Sequence, residues 1–355
     1  MKRFTIILAI FGMGSLVGGL IFLIFPFDPF ALESLLSSDG AFDEPIMHGF
    51  SRLQSGMIVG GLVLLLLALI FSLCERGIIP ILKWDERRFI FTIIAIKVFL
   101  SVLFIITAPY TPCMYDDTAY YRYAKCFANG DPITTFDGKP TAWWPIGYPL
   151  YLSIFFRIFG QHIWVGQVAN LLILTGTIVM TYFVGRRMFG VKTARRATIV
   201  MALMPSQIFY TIILLSDMLF AFLVLCLIFL IQRSLKLTNS ILIGAALGMA
   251  VMTRATVLLF PLVAFVYWIL KDKRLKPALI HIIIVGIICE LVLLPWQIRN
   301  YREFGGFTIA TTNGGIHFWM GNNPSASGGF IPDDFYISKE NKSIMRNMTE
   351  IEKDR

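Results

Sequence analysis

Charge is what this chain has least of. Asp, Glu, Lys and Arg make up 15% of its 355 residues, against 57% hydrophobic, and soluble domains carry about 25% charged residues. That shortage excludes an ordinary soluble protein. Histidine and cysteine are scarcer still, at four and five residues. No spacing among them resembles a zinc site, and the histidines form no pattern to which a role attaches. Cys226 and Cys289 lie inside apolar runs and Cys74 at the end of one, so only Cys113 and Cys126 share a polar loop. Those two read either as small buried thiols or as a disulfide. Internal repeats and low-complexity tracts are also missing. A net charge of +9 does not amount to a nucleic-acid surface, because the basic residues come in short clusters between apolar runs. Topology determinants of membrane proteins are distributed in that way.

What the chain has in abundance is apolar length. Mean hydropathy is +0.73, and many of the apolar runs approach the roughly 20 residues with which a helix crosses a bilayer core. They fall near 4–25, 55–74, 89–109, 162–184, 196–214, 217–232, 240–253, 255–270 and 278–296. The expected fold is therefore an all-α polytopic membrane protein with about nine spans. The first run follows Lys2 and Arg3 like a signal peptide. It is longer than a signal core of about 7–15 residues, and no small-residue cleavage site follows, so it reads as a retained anchor.

Positive residues assign the sides. The N-terminus and the stretches "ERGIIPILKWDERR", "RRMFGVKTARR", "RSLK" and "KDKRLK" hold 17 Lys and Arg, while the opposite loops up to residue 277 hold six. The positive-inside rule puts the first set in the cytoplasm. Parity then decides the segment 146–160, "IGYPLYLSIFFRIFG", which is short and interrupted by Arg157. If it crossed, the basic "RRMFGVKTARR" would land outside, so it is expected to lie on the outer surface with an apolar face in the headgroup region. The N-terminus is then inside and the C-terminus outside. The runs at 240–253 and 255–270 are short and must turn near Thr253–Arg254.

This threading gathers unusual polar residues at the outer level. Asp116 and Asp117 follow the third span, Asp217 sits before the sixth, Arg254 between the seventh and eighth, and Arg299 and Arg302 leave the ninth. The stretch "DDTAYYRYAKCFANG" reads as a short helix opened by capping residues and stopped at Asn129–Gly130. Its Tyr120, Tyr121 and Tyr123 suit a membrane interface. Capping alone accounts for one acid. A second carboxylate at a helix N-terminus is stabilised as the anion, which suits a general base. Arg299 and Arg302, three apart, share a face of a continuing helix. Arginines at this level either snorkel to headgroups or grip a phosphate through bidentate bonds. Asp217 pairs with one of them or binds a ligand. Lys97 and Glu290 interrupt the third and ninth spans and should face the bundle interior, with a mutual contact as one outcome.

The stretches "YDDTAYYRYAKCFANGDP", "WWPIGYPLYLSIFFRIFG", "VGRRMFG", "LLSDMLFAFL", "GMAVMTRATVLL" and "PWQIRNYREFGGFTIATTNGGIHFWMGNN", in this order, resemble the GT-C type polytopic glycosyltransferases. The nearest group is the bacterial enzymes similar to protein O-mannosyltransferases and aminoarabinose transferases. The likeness covers about residues 89 to 330. It implies a seven-helix core at 89–297 with an outer loop at 110–161 carrying amphipathic helices. Residues 1–88 would be a two-span addition with an acidic outer loop, and 298–355 a polar extracytoplasmic segment, where relatives commonly continue with further spans or a domain.

Enzymes of that family move a sugar from a polyprenyl-phosphate carrier to a lipid, glycan or protein acceptor on the outer side of the membrane, in bacteria the cytoplasmic membrane. The resemblance makes an acid early in the first large outer loop the base, which carries onto Asp116 with Asp117 beside it. Asp stands here for the more usual Glu, so the choice between the two stays open, with the family pattern favouring Asp116. Arg254, Arg299 and Arg302 fall where basic residues meet the donor phosphate, and Asp217, Tyr121 and Lys125 are assigned to substrate. A single displacement inverts the anomeric centre. It requires no cofactor, although some relatives bind a divalent metal and adjacent carboxylates leave room for one. The competing class is a transporter or flippase of a lipid-linked or anionic solute. Such proteins often hold their site near the midplane between repeats, whereas the unusual charges here lie at the outer edge.

Overall fold

A computed structural model describes residues 80–322, apart from 108, 109, 111, 113, 114 and 136, together with 350–354 and short pieces within 6–17 and 65–76. The expected span at 55–74, most of that at 4–25, the acidic loop between them and Cys113 lie outside the described residues. The fold is all-α: among the described residues the nearest thing to a sheet is one bridge, Thr134 to Pro140. In chain order the helices are α1 (Glu86–Thr107), α2 (Tyr115–Asn129), α3 (Gly147–Phe159), α4 (Ile163–Phe189), α5 (Val191–Leu203), α6 (Pro205–Phe209), α7 (Asp217–Ile231), α8 (Leu237–Thr253), α9 (Phe260–Asp272), α10 (Leu275–Phe304), α11 (Gly314–Asn322) and α12 (Glu350–Asp354).

Four described elements are long and apolar enough to cross a membrane: α1, α4, α10, and α9 with the 3-10 turn Ala255–Leu259 before it. The helices α7 and α8 are apolar but shorter. The protein is an all-α membrane protein on these grounds.

The chain divides into two compact units. In the first, Met1–Phe104 with Thr181–Phe209, α1 buries Phe89, Ile93, Lys97 and Ser101, a stripe at helical spacing. Lys97 faces inward as expected, and its ammonium donates to the Gln207 carbonyl at 2.6 Å. Arg195 in α5 donates to the carbonyls of Leu82 and Trp84 at 2.6 and 2.7 Å and lies over the Phe89 ring.

The expected continuous span at 196–214 is not one helix. It stops at Leu203, resumes for one turn at Pro205–Phe209 and is unwound from 210 to 216. Pro205 explains the first break, since a proline excludes its predecessor from the helical region and Met204 is extended, with ψ 126°.

The second unit holds Ile105–Met180 and Tyr210–Arg355. The carbonyls of its unwound segment are satisfied from α4. Asn170, fully buried, donates to the carbonyls of Thr211 and Ile213 at 3.3 and 2.8 Å and accepts from Tyr148 at 2.7 Å. Non-helical backbone at membrane depth is tolerated only where protein takes over such bonds.

Close packing comes from two glycines. On α8, a Cβ at Gly244 would lie 2.7 Å from the Ile288 Cβ, and one at Gly248 2.6 Å from the Val292 Cβ. The four-residue spacing lets the backbones of α8 and α10 approach, as small residues do between membrane helices. At Gly147 an added Cβ would meet the Thr253 hydroxyl at 2.4 Å. The start of α3 therefore sits on the end of α8, which brings Arg254 to the level of α2 and α3.

The helix expected at 146–160 forms as α3. It buries Tyr148, Leu152 and Phe156 and leaves Ile154 and Ile158 exposed, so both faces meet apolar surroundings. Glu290 departs from expectation. It does not turn into the bundle but is exposed along α10 and lines a cavity.

Candidate active site

The acids at 116 and 117 both stand in the first turn of α2. Neighbours on a helix are about 100° apart around the axis, and here that separates their fates. Asp117 is fully buried. It accepts hydrogen bonds from the Tyr110 hydroxyl and, at 3.2 Å, from Thr118. Asp116 is exposed, although enough protein surrounds its carboxyl for desolvation to matter. Burial raises its pKa above the ordinary carboxylate value; Asp217 adds to the rise, while Arg254 and His317 oppose it.

Asp217 opens α7 directly after the unwound segment. Its Oδ1 accepts from Arg254 Nη2 at 2.7 Å, and both side chains are partly exposed, at 35% and 44%. Arg254 itself is extended, between the end of α8 and the 3-10 turn. Thus Asp116, Asp217 and Arg254, drawn from three separate turns of the sequence, form one corner. Tyr120, one helical turn beyond Asp116, completes it. Its hydroxyl lies 3.2 Å from the buried Ser216 Oγ. Burial pushes Tyr120 up to about 12, against its hydrogen bond with Ser216, so it stays protonated, and either hydroxyl can be the donor.

The remaining candidates stand elsewhere. Arg299 gives its guanidinium to backbone, donating to Thr141 O and Ile133 O, each at 2.9 Å, and to Asn300 Oδ1 at 3.0 Å. It lies over Trp296. These bonds strap the 133–142 loop to α10. Arg302 is exposed in the last turn of α10; the helix continues past both arginines as expected and ends at Gly305, whose φ of 68° closes it. Tyr121 donates to Gln161 O at 2.7 Å, and the Lys125 ammonium sits 4.9 Å from its ring centroid. Those two pair along another face of α2, against Phe156.

Beside the strap lies a cavity of about 490 Å³ with walls from Phe127, Ile146, Leu150, Met252 and Trp296, and with Asp131 and Arg299 as its charged lining. Among the described residues, no group of three or more His, Cys, Asp or Glu side chains is placed to hold a metal.

Residues 144–298 match the family model described as dolichyl-phosphate-mannose-protein mannosyltransferase. The chain resembles a GT-C membrane glycosyltransferase. The match runs from the start of α3 through most of α10. It therefore includes Asp217 and Arg254 and excludes Asp116, Asp117, Arg299 and Arg302. It supports a membrane glycosyltransferase of the mannosyltransferase type. Neither the curated proteins nor the solved structures gave a match.

Four neighbours of the corner and strap carry no site assignment from the sequence. Tyr120 appears there as an interfacial tyrosine and Ser216 not at all. His317, on α11, is close enough to Asp116 to lower its pKa and contacts Trp143. Glu350 accepts from the Ala142 amide and the Thr312 hydroxyl, both at 2.8 Å. The only available cue to Ser216 was its position immediately before Asp217.

Proposed function

We propose that this protein transfers a sugar from a polyprenyl-phosphate carrier to an acceptor hydroxyl on the extracytoplasmic side of a bacterial cytoplasmic membrane, by an inverting displacement. The observation that carries this reading is the corner itself: an accessible Asp116 beside an Arg254–Asp217 ion pair. Displacement at an anomeric carbon requires a base for the acceptor proton and fixed positive charge for the departing phosphate. Asp116 takes the first part. Of the two acids it is the one that a substrate reaches, and its raised pKa makes it a stronger base than an ordinary carboxylate. Asp117, buried and hydrogen-bonded, holds the start of α2.

Arg254 takes the second part. Its pair with Asp217 is exposed, and exposed pairs are worth only about 0–1 kcal/mol, so a phosphate can claim the guanidinium. Asp217 then holds Arg254 in place until the donor arrives. The apolar cavity of about 490 Å³ is of the size and character to take part of a lipid chain, with Arg299 keeping its rim in shape. No step requires a metal; a divalent ion at the acids would be an addition to this scheme.

The test is transfer from polyprenyl-phosphate sugars in membranes carrying wild-type protein, Asp116→Asn or Asp117→Asn. Loss of transfer in folded Asp116→Asn protein supports the reading. Full activity in both single variants and the double variant overturns it, and solute movement without transfer would point to a transporter.

A further inference from the structure

A second cavity, of about 350 Å³, opens beside α10 among Leu258, Pro261, Leu293 and Phe307, and none of the residues proposed for sugar transfer lines it. Its two side chains able to hydrogen-bond strongly are Glu290 and Gln297. Glu290 stands near the middle of a 30-residue apolar helix and is exposed. Among the described residues its carboxylate has neither an ion pair nor a hydrogen bond. Two turns on, Gln297 is 3% exposed, and its Oε1 is buried without a partner. A buried acceptor left unmade is costly, and a charged side chain at membrane depth is costly unless paired. Both groups line one space, so one occupant can satisfy both.

The chemistry of that occupant follows from what the walls offer. A carboxylate, an amide with a buried and unpartnered oxygen, and no cationic side chain line the cavity, so the occupant must donate hydrogen bonds to these oxygens, and Glu290 favours a positive one. An anionic head without an amine of its own would face a carboxylate and no counter-charge. Gly286 also lines the cavity, and a Cβ added there would meet nothing within 4 Å. The rim carries Leu258 and Phe307, exposed by 41% and 62%, so the mouth suits an apolar tail. The volume falls within the range of small-ligand sites, about 300–1,000 Å³, and the space is concave, unlike the shallow groove of a packed helix. We infer that this cavity binds the head of a membrane amphiphile bearing a primary ammonium group, in the manner of an aminophospholipid.

The experiment compares lipids of identical acyl chains on the purified full chain in detergent, with retained lipid counted by native mass spectrometry. Dioleoyl phosphatidylethanolamine should bind about tenfold more tightly than dioleoyl phosphatidylcholine, because the quaternary head cannot donate a charge-assisted bond. Glu290→Gln, near-isosteric and on an exposed position, should erase that preference. Gly286→Leu should weaken both lipids by filling the cavity. Equal binding of the two lipids, an unchanged preference in Glu290→Gln, or a stronger preference for phosphatidylglycerol overturns the inference. Should Glu290→Gln fail to fold, Gln297→Leu offers the same reading at the other acceptor.

Discussion

Two arginine sites in the second unit invite comparison. Arg254 donates to a carboxylate at a partly exposed corner, whereas Arg299 donates to two backbone carbonyls and an amide. In the sequence both are basic residues at the same outer level. In the structure they differ in what would be lost if a phosphate arrived. Taking the guanidinium from Arg299 would orphan two carbonyls of the 133–142 loop, and each unmade bond costs about 1–3 kcal/mol. Taking it from Arg254 breaks one exposed ion pair. A ligand can compete for the second and not for the first. The acids divide in the same way: Asp117 is committed to Tyr110 and Thr118, and Asp116 is available.

The largest expected effects fall on the acids. Asp116→Asn should lower transfer by about 10²–10⁴-fold, the usual worth of a general base, without lowering the thermal midpoint. Asp117→Asn should instead cost about 1–3 kcal/mol of stability by weakening a buried hydrogen-bonded group, with most of the transfer per folded molecule retained. Thermal melts beside initial rates separate the two. A folded Asp117→Asn protein that has lost transfer, next to an active Asp116→Asn, would reverse the assignment.

The arginines come next. Arg254→Gln should raise the donor KM by about 10–100-fold, roughly what a lost charge-assisted hydrogen bond of about 1.5–3 kcal/mol gives. Arg299→Met should lower stability by about 2 kcal/mol for the carbonyls it orphans while leaving the donor KM within about threefold. Saturation curves in the donor, paired with melts, would collapse the distinction if Arg299→Met raised KM as much as Arg254→Gln does.

Much of this was legible beforehand, and physical reasons mark where legibility stopped. The helix at 115–129, its stop at Gly130, the turn at Arg254 and the continuation of α10 past Arg302 follow from local signals: caps, a glycine with positive φ and apolar periodicity. The break at Met204–Pro205 was also local, and the apolar run hid it. Hydropathy counts residues over a window, whereas a proline acts at one. The commitment of Arg299 to carbonyls was not legible, because its partners are about 160 residues away and belong to backbone, which has no sequence signature. The same holds for Asn170, whose amide supports an unwound segment some 40 residues on. Glu290 departs from the rule that membrane charges face inward because that rule presumes a partner within the bundle, and among the described residues its cavity supplies none.

The smallest effect concerns pH, and it tests the corner as an electrostatic unit. Asp116 acts as base only when ionised, so transfer should fall as pH drops through its pKa, on a limb lying above the ordinary carboxylate range. Burial, the first cause of that rise, is common to all variants of its neighbours, and Asp217 is the second. Asp217→Asn removes a repelling charge and also leaves Arg254 unpaired beside Asp116. Both changes favour the anion, so the acid limb should move to lower pH. Arg254→Gln removes an attracting charge and should move the limb to higher pH, and His317→Gln should do the same more weakly. The stability consequence has the opposite sign. A raised pKa means that stability falls as pH rises from the ordinary carboxylate value to the raised one and stays at that lower level above it, so Asp116→Asn should melt no lower than wild type at neutral pH. Rate profiles of kcat/KM decide the matter. Limbs that shift in the same direction for Asp217→Asn and Arg254→Gln would mean that the two residues do not act on Asp116 through their charges, and the corner would then be a structural contact with a catalytic group merely beside it.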